Sequence, residues 1–273
     1  MDILLKSLPN FLTSKRFSPH VHKKRKAGLK MTIIFPRIEL FYDVKEAITP
    51  KLALEDTYQI MEQINKLSHS SSGWHLPGYD LKEIQENNVF NEHGFTEYAI
   101  KQFEESYEED IKTIIKTLFD VGGDVELKNS IRYSSSNFDP ARLGETRISI
   151  SLSLKKEQFN FLQFIDFIKS LISKRHAPLI MIDVRGYSLK QKQVFPDRVY
   201  AGWMLYLPTE IAPELVAKAE EIFSVPDKEG KAGTLVITTK NIFDIENQDD
   251  IDRANDIEIC LRDLGLLPLI SEV

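Results

Sequence analysis

In "MTIIFPRIELFYDV", Ile38, Leu40 and Tyr42 alternate with Arg37, Glu39 and Asp43, a period of two that predicts a strand over about 37–44. The period then lengthens. Thr49 stands as a cap before Pro50, and Leu54, Tyr58, Met61 and Ile64 recur at helical spacing, which predicts a helix running into the serines of 68–72. "GFTEYAIKQFEESYEEDIKTIIKTLFDVGG" gathers Phe95, Tyr98, Ile100, Phe103, Tyr107, Ile111, Ile114, Ile115 and Leu118 largely on one side, predicting a second long helix that Gly122 and Gly123 stop. In the second half, "RISISLSL" alternates strictly and reads as a strand, and "KKEQFNFLQFIDFIKSLISKR" reads as an apolar-rich helix. "PLIMIDVRGY" and "RVYAGWMLYL" are continuous apolar runs, expected inside a sheet covered on both faces. A helix at "PELVAKAEEIFS", a strand at "GTLVITT" and a helix at "DDIDRANDIEICLRDLG", ended by Gly265 with Pro268 beyond, complete the reading.

Strands and helices mixed without strict βαβ alternation predict an α+β fold, a mixed, mainly antiparallel sheet packed with helices. The halves share a rough plan of strand, helix and extended segment, ending at Gly78-Tyr79 and Gly186-Tyr187, so a two-half architecture is an alternative to keep. The 273 residues, 42% hydrophobic and 28% charged, suit a sizeable core. Residues 31–273 are expected to form one domain. Residues 1–30 carry eight Lys or Arg against one acid, and "HVHKKRKAGLKM" is the kind of cluster that binds nucleic acid or directs nuclear import. The simpler expectation is a disordered basic extension, with Met31 as a second possible start. No run is apolar for long enough to cross a membrane and no signal peptide opens the chain, so the expected location is the cytoplasm.

Motifs of catalysis are missing. No glycine-rich phosphate loop follows a strand, no G-x-S-x-G elbow occurs, and the six histidines lack the i, i+4 spacing of a zinc hydrolase, so neither metal nor cofactor is expected. The lone Cys260, between Ile259 and Leu261, reads as a packed thiol. One pattern resembles a magnesium nuclease, in which carboxylates hold the cation and a lysine positions the attacking water. Its parts are Asp197 after Pro196, and Glu229 with Lys231, or Glu126 with Lys128. Such short patterns arise readily in a charged chain, and solvated loop charges are the plainer reading.

Outside the first thirty residues, 27 bases face 40 acids. That acidity disfavours a duplex-DNA binder and suits a basic protein partner, for which Glu104, Glu105, Glu108 and Glu109, with Asp249, Asp250 and Asp252, are the candidate contacts. In "SSGWHLPGYD", Trp74 stands among serines and turn residues. It is either a contact anchor or, as the usual burial of large aromatics favours, the closing residue of the core's end. The elements Trp74, Leu76 and Gly78, the acidic stretch after them and the terminal "AGTLVITTKNIFDIENQDDIDRANDIEICLRDLGLLP" resemble immunity protein family 52 of bacterial polymorphic toxin systems, over about residues 33–268. The resemblance implies a single α+β immunity domain without catalytic activity or cofactor. Its partner would be a cognate toxin of the restriction-endonuclease-like class, a basic nuclease domain, and not a nucleic acid or a membrane.

Overall fold

The computed structural model describes residues 32–44, 48–68, 73–110, 112–120, 129–136 and 145–273. The basic extension, most of the serine run and Glu126 to Lys128 lie outside the described residues. In chain order the elements begin with β1 (Ile33–Ile34), β2 (Pro36–Asp43), α1 (Pro50–Ser68), β3 (Trp74–His75), α2 (Leu81–Glu86), β4 (Phe90–Asn91) and β5 (Gly94–Phe95). There follow α3 (Glu97–Glu105), β6 (Ile114–Asp120), β7 (Ser130–Ser136), β8 (Glu145–Ser151), β9 (Leu154–Lys155) and α4 (Phe161–Ser173). The chain closes with β10 (Leu179–Val184), β11 (Met204–Leu207), β12 (Glu221–Pro226), β13 (Ala232–Ile237) and α5 (Gln248–Asp263).

Nine strands form one sheet in the order β12-β13-β11-β10-β2-β8-β7-β6-β3, and every ladder in it is antiparallel. This is the expected α+β class. At the seam, β2 pairs with β10 on one side and β8 on the other, joining a C-terminal to an N-terminal set of strands. Alternation then assigns the faces. Ile38, Leu40 and Tyr42 of β2 share a buried face with Ile131 and Tyr133 of β7, Ile148 and Ile150 of β8, and Ile180 and Ile182 of β10. Helices α1, α3 and α4 cover that face. The C-cap of α4 leads to the buried Arg175, which pairs with Asp56 of α1 at 3.3 Å and lies over the Tyr42 ring, while the Tyr42 hydroxyl donates to the same carboxylate. That link ties both helices to the seam strand.

Among the described residues, a helix covers the second face in its C-terminal half alone. Met181, Leu205 and Val236 point away from α4 yet are buried, and Ile251, Ala254, Ile257 and Leu261 form the inner side of α5, which lies over them. Glu258, on the same helix side, is 1% exposed. Its carboxylate accepts from the Tyr187 hydroxyl at 2.9 Å, the Val194 amide at 2.8 Å and the Ala201 amide at 3.0 Å. Burial pushes its pKa up against the pull of those donors.

Two expected helices are corrected. The long helix from Phe95 ends at Glu105, and the remainder turns through Lys112, at φ 45°, into strand β6. Ile114 and Leu118 are four apart, a spacing that keeps both on one face in a helix and equally in a strand, so periodicity could not decide. The β-branched run Thr113-Ile114-Ile115 and pairing with β7 favour the strand. "PELVAKAEEIFS" likewise forms one 3₁₀ turn, Pro213–Val216, before Glu221–Pro226 pairs along β13 as an edge strand. "RVYAGWMLYL" is extended as a strand only from Met204, because Gly202 sits at φ 49° with the Ile182 carbonyl 2.9 Å from where a Cβ would stand.

Removing the Glu258 carboxylate strands the Val194 and Ala201 amides and leaves the Tyr187 hydroxyl only Asn255, at 3.2 Å. Glu258→Ala is therefore expected to cost about 2–4 kcal/mol of unfolding free energy in a urea titration, the scale of several buried donors left unpaired.

Candidate functional site

The N-terminal half of the second face, built from β2, β8, β7 and β6, carries no helix among the described residues. Register fixes what it presents. One cross-strand row reads Phe119, Ser130, Ser151, Arg37, Asp183, the next Thr117, Arg132, Ser149, Glu39, Met181, and a third Ile115, Ser134, Arg147, Phe41, Leu179. On β7 and β8 every outward position of these rows is serine or arginine, where a solvated sheet would ordinarily mix Lys, Glu and Thr.

Glu39 organises the centre. It is 2% exposed, and Arg37 reaches its Oε1 at 2.7 Å while Arg147 reaches Oε2 at 3.0 Å, each also donating through Nε, at 2.9 and 3.0 Å. The Ser149 hydroxyl adds a third donor at 2.8 Å. Forked guanidinium contacts of this kind fix geometry as well as charge. Arg147 is further held over the Phe41 ring, 5.1 Å from its centroid.

Around this centre lies a groove of about 800 Å³, lined by Arg37, Arg132, Arg147 and Arg185, by serines 130, 134, 149, 151 and 153, and by Asp183. Among the described residues neither Arg132 nor Arg185 has a carboxylate partner. Asp183 is 1% exposed; its Oδ2 accepts from the Ser188 hydroxyl at 3.1 Å, and its Oδ1 is buried without a partner. Burial raises its pKa to about 6, against the lowering pull of Ser188, Arg37 and Tyr200. Phe35 and Leu189 stand at the rim, 39% and 77% exposed. Arg147 and Ser134 also line a second cavity of about 760 Å³ that runs toward Arg198 and the C-terminal Leu266–Val273. The arginine-lined groove is thus a trough floored by the sheet, sharing Ser134 and Arg147 with the second cavity.

The residues singled out in the sequence fall elsewhere. Trp74 is 3% exposed on edge strand β3, its indole N–H donating to Asn65 of α1 at 3.0 Å. Leu76 is buried, and a Cβ on Gly78 would meet the Ile84 amide at 2.9 Å, so this element braces the sheet edge against α1 and α2. Glu104 and Glu105 are exposed at the end of α3, with Glu108 and Glu109 in the turn after it, and Glu105 pairs with Lys101 at 3.6 Å. Asp249, Asp250 and Asp252 lie at the start of α5, where acids complement the helix dipole, and Asp250 accepts from the Asp244 amide at 3.0 Å. Since α3 and α5 cover opposite faces of the sheet, the seven acids do not form one patch.

Asp197 is exposed beside the C-terminal segment, its carbonyl accepting from the Ile270 amide at 2.9 Å. Glu229 and Lys231 belong to the β12–β13 hairpin turn, whose amides donate to Asp227, and the Glu229 carboxylate pairs with His176 at 3.1 Å. Among the described residues no group of three or more His, Cys, Asp or Glu is placed to hold a metal ion. Cys260 is half-buried, its thiol donating to the Leu215 carbonyl at 2.9 Å. No helix of the described residues is long and apolar enough to cross a membrane.

No family model matches the chain, and no curated protein matches it by sequence. Among solved structures, the Pseudomonas aeruginosa T6SS protein PA0821 is similar with a TM-score of 0.49 at 10% identity, covering 84% of this chain and 73% of that one. At that identity no residue correspondence follows.

The buried acid of the groove makes a sign-definite prediction. With its folded pKa raised to about 6 from an ordinary 3.8, Asp183 favours the native state below pH 4, and that contribution is lost as pH rises through 6. Asp183→Asn is therefore expected to melt higher than the parent at pH 8, by up to about 3 kcal/mol in unfolding free energy. The gain should close by pH 4; one that is equal at both pH values would show that the carboxylate is not the cause.

Proposed function

We propose that the chain is a protein-binding inhibitor, an immunity protein that neutralises a cognate bacterial toxin, a nuclease, by stoichiometric association. The observation that carries this reading is the half of the sheet that no helix covers among the described residues. A trough floored by a rigid β-sheet, whose arginines are already fixed by Glu39 and Phe41, suits a surface whose role is to be covered. Arg and exposed apolar side chains are also the residue types enriched where interfaces carry their energy. The resemblance of the Trp74 to Gly78 element and of the C-terminal stretch to immunity proteins supplies the class of partner.

Charge supports the same reading at longer range. The excess of 40 acids over 27 bases outside the first thirty residues would steer a cationic toxin domain toward this chain. Steering of that kind sets the association rate and weakens with salt, whereas dissociation is governed by the packed contacts.

The expected outcome is a one-to-one complex when the chain is co-expressed with the product of the adjacent gene, with loss of that product's toxicity. In stopped-flow association, the rate is expected to fall by about tenfold or more between low and high salt while the dissociation rate changes little. An adjacent gene product that neither co-purifies nor is neutralised would refute the reading.

A further inference from the structure

We propose that the arginine–serine trough is the docking site for an acidic, extended segment of the partner polypeptide, whose side-chain carboxylates pair with Arg132 and Arg185. This rests on the inhibitor reading for the partner's identity, while the chemistry comes from the trough itself. Arg37 and Arg147 share the single carboxylate of Glu39, but Arg132 and Arg185 line the same cavity with no acid partner among the described residues. Two exposed guanidiniums on one sheet face of an otherwise acidic domain are an anion-directed feature.

The second observation is Asp183. Its buried Oδ1 has no hydrogen-bond partner among the described residues, in the wall of the same groove. The ligand that completes the site therefore brings carboxylates for the arginines and an N–H or O–H for Asp183. A polypeptide carries both on one chain. A phosphodiester backbone offers acceptors alone, and the donors of a nucleic-acid strand lie on its base edges, away from the charges that would meet the arginines. Serine hydroxyls at 130, 134 and 151, which donate and accept, suit a peptide backbone lying across the rows, and Phe35 and Leu189 offer apolar contacts at the rim. The docked charge is thus opposite in sign to the one that steers the encounter.

The test is an NMR titration of the ¹⁵N-labelled full chain with a blocked peptide alternating Glu and Thr, and in parallel with a single-stranded oligodeoxynucleotide of equal charge. Expected are saturable shifts in β6, β7, β8 and residues 183–189, with affinity for the peptide weakened about tenfold or more in an Arg132→Glu, Arg185→Glu double variant. Both side chains are exposed, so the melting temperature of that variant should match the parent. A Glu104→Gln, Glu105→Gln, Glu108→Gln, Glu109→Gln variant should bind the peptide as the parent does. The proposal is overturned by an absence of saturable shifts, by shifts confined to α3 or α5, or by tighter binding of the oligonucleotide. Sedimentation showing a dimer that the double variant abolishes would make a second copy the occupant, and would overturn it too. The adjacent gene product separates the two readings. If it binds the double variant as well as the parent, the docking site falls and the inhibitor stands. If it binds neither while the peptide titration succeeds, the inhibitor reading falls and the groove chemistry stands.

Discussion

A carboxylate at the middle of a nine-stranded sheet sets the terms for everything on its outer face. Glu39 is on the seam strand, nearly without exposure, and an ion in that position persists only if it is paired and hydrogen-bonded. Arg37 two residues earlier on the same strand, and Arg147 and Ser149 on the neighbouring strand, meet that requirement from three directions. Their own charged ends remain half in water, which keeps the cost of burial low. An apolar residue at position 39 would remove the need for both arginines, and the outer face would become an ordinary greasy sheet needing a helix to cover it. The polar network is what allows half of one face to go without a covering helix among the described residues.

The same strand makes the opposite commitment on its inner face. Ile38, Leu40 and Tyr42 pack beneath α1 and α4, and the Tyr42–Asp56–Arg175 link fixes both helices to the seam. The trough floor therefore moves only if the core moves. Rigidity of this kind lowers the conformational entropy lost when a partner binds, so a modest number of contacts suffices for tight association. Loops and helix ends bearing the acids have no comparable anchorage, and several of those acids are already engaged by lysines, amides or the α5 dipole.

The sequence foretold the fold more fully than the site, and particular residues show why. Alternation in β2 and β8, the cap at Thr49 before Pro50, and the stop at Gly265, where φ is 70°, are local signals that tertiary structure had no reason to override. Ile114 and Leu118 carried a spacing compatible with both periods, and the edge strand after Ala219 was hidden in a stretch rich in helix-forming residues. The trough was harder to see because it exists only in register. Arg37, Arg132, Arg147 and Arg185 are scattered over about 150 positions of sequence, and each alone looks like an unremarkable solvated charge. The trace they leave is the choice of polar residue: in "SIRYSSS" and "ETRISIS" the outward positions are serine or arginine almost throughout.

Acidic composition pointed toward the helices because net charge is a sum, and a sum has no address. Coulombic steering depends on that sum at distances near a Debye length, where the individual positions of acids blur together. Docking depends on single groups at hydrogen-bond distance, where one unpaired guanidinium outweighs a diffuse excess of carboxylates tens of ångströms away. A domain can therefore be acidic as a whole and still present a cationic docking face, provided that face is internally braced. Glu39 supplies the brace here. Its one negative charge holds Arg37 and Arg147 in place while cancelling only one of their two positive charges, and it leaves Arg132 and Arg185 for whatever the trough receives.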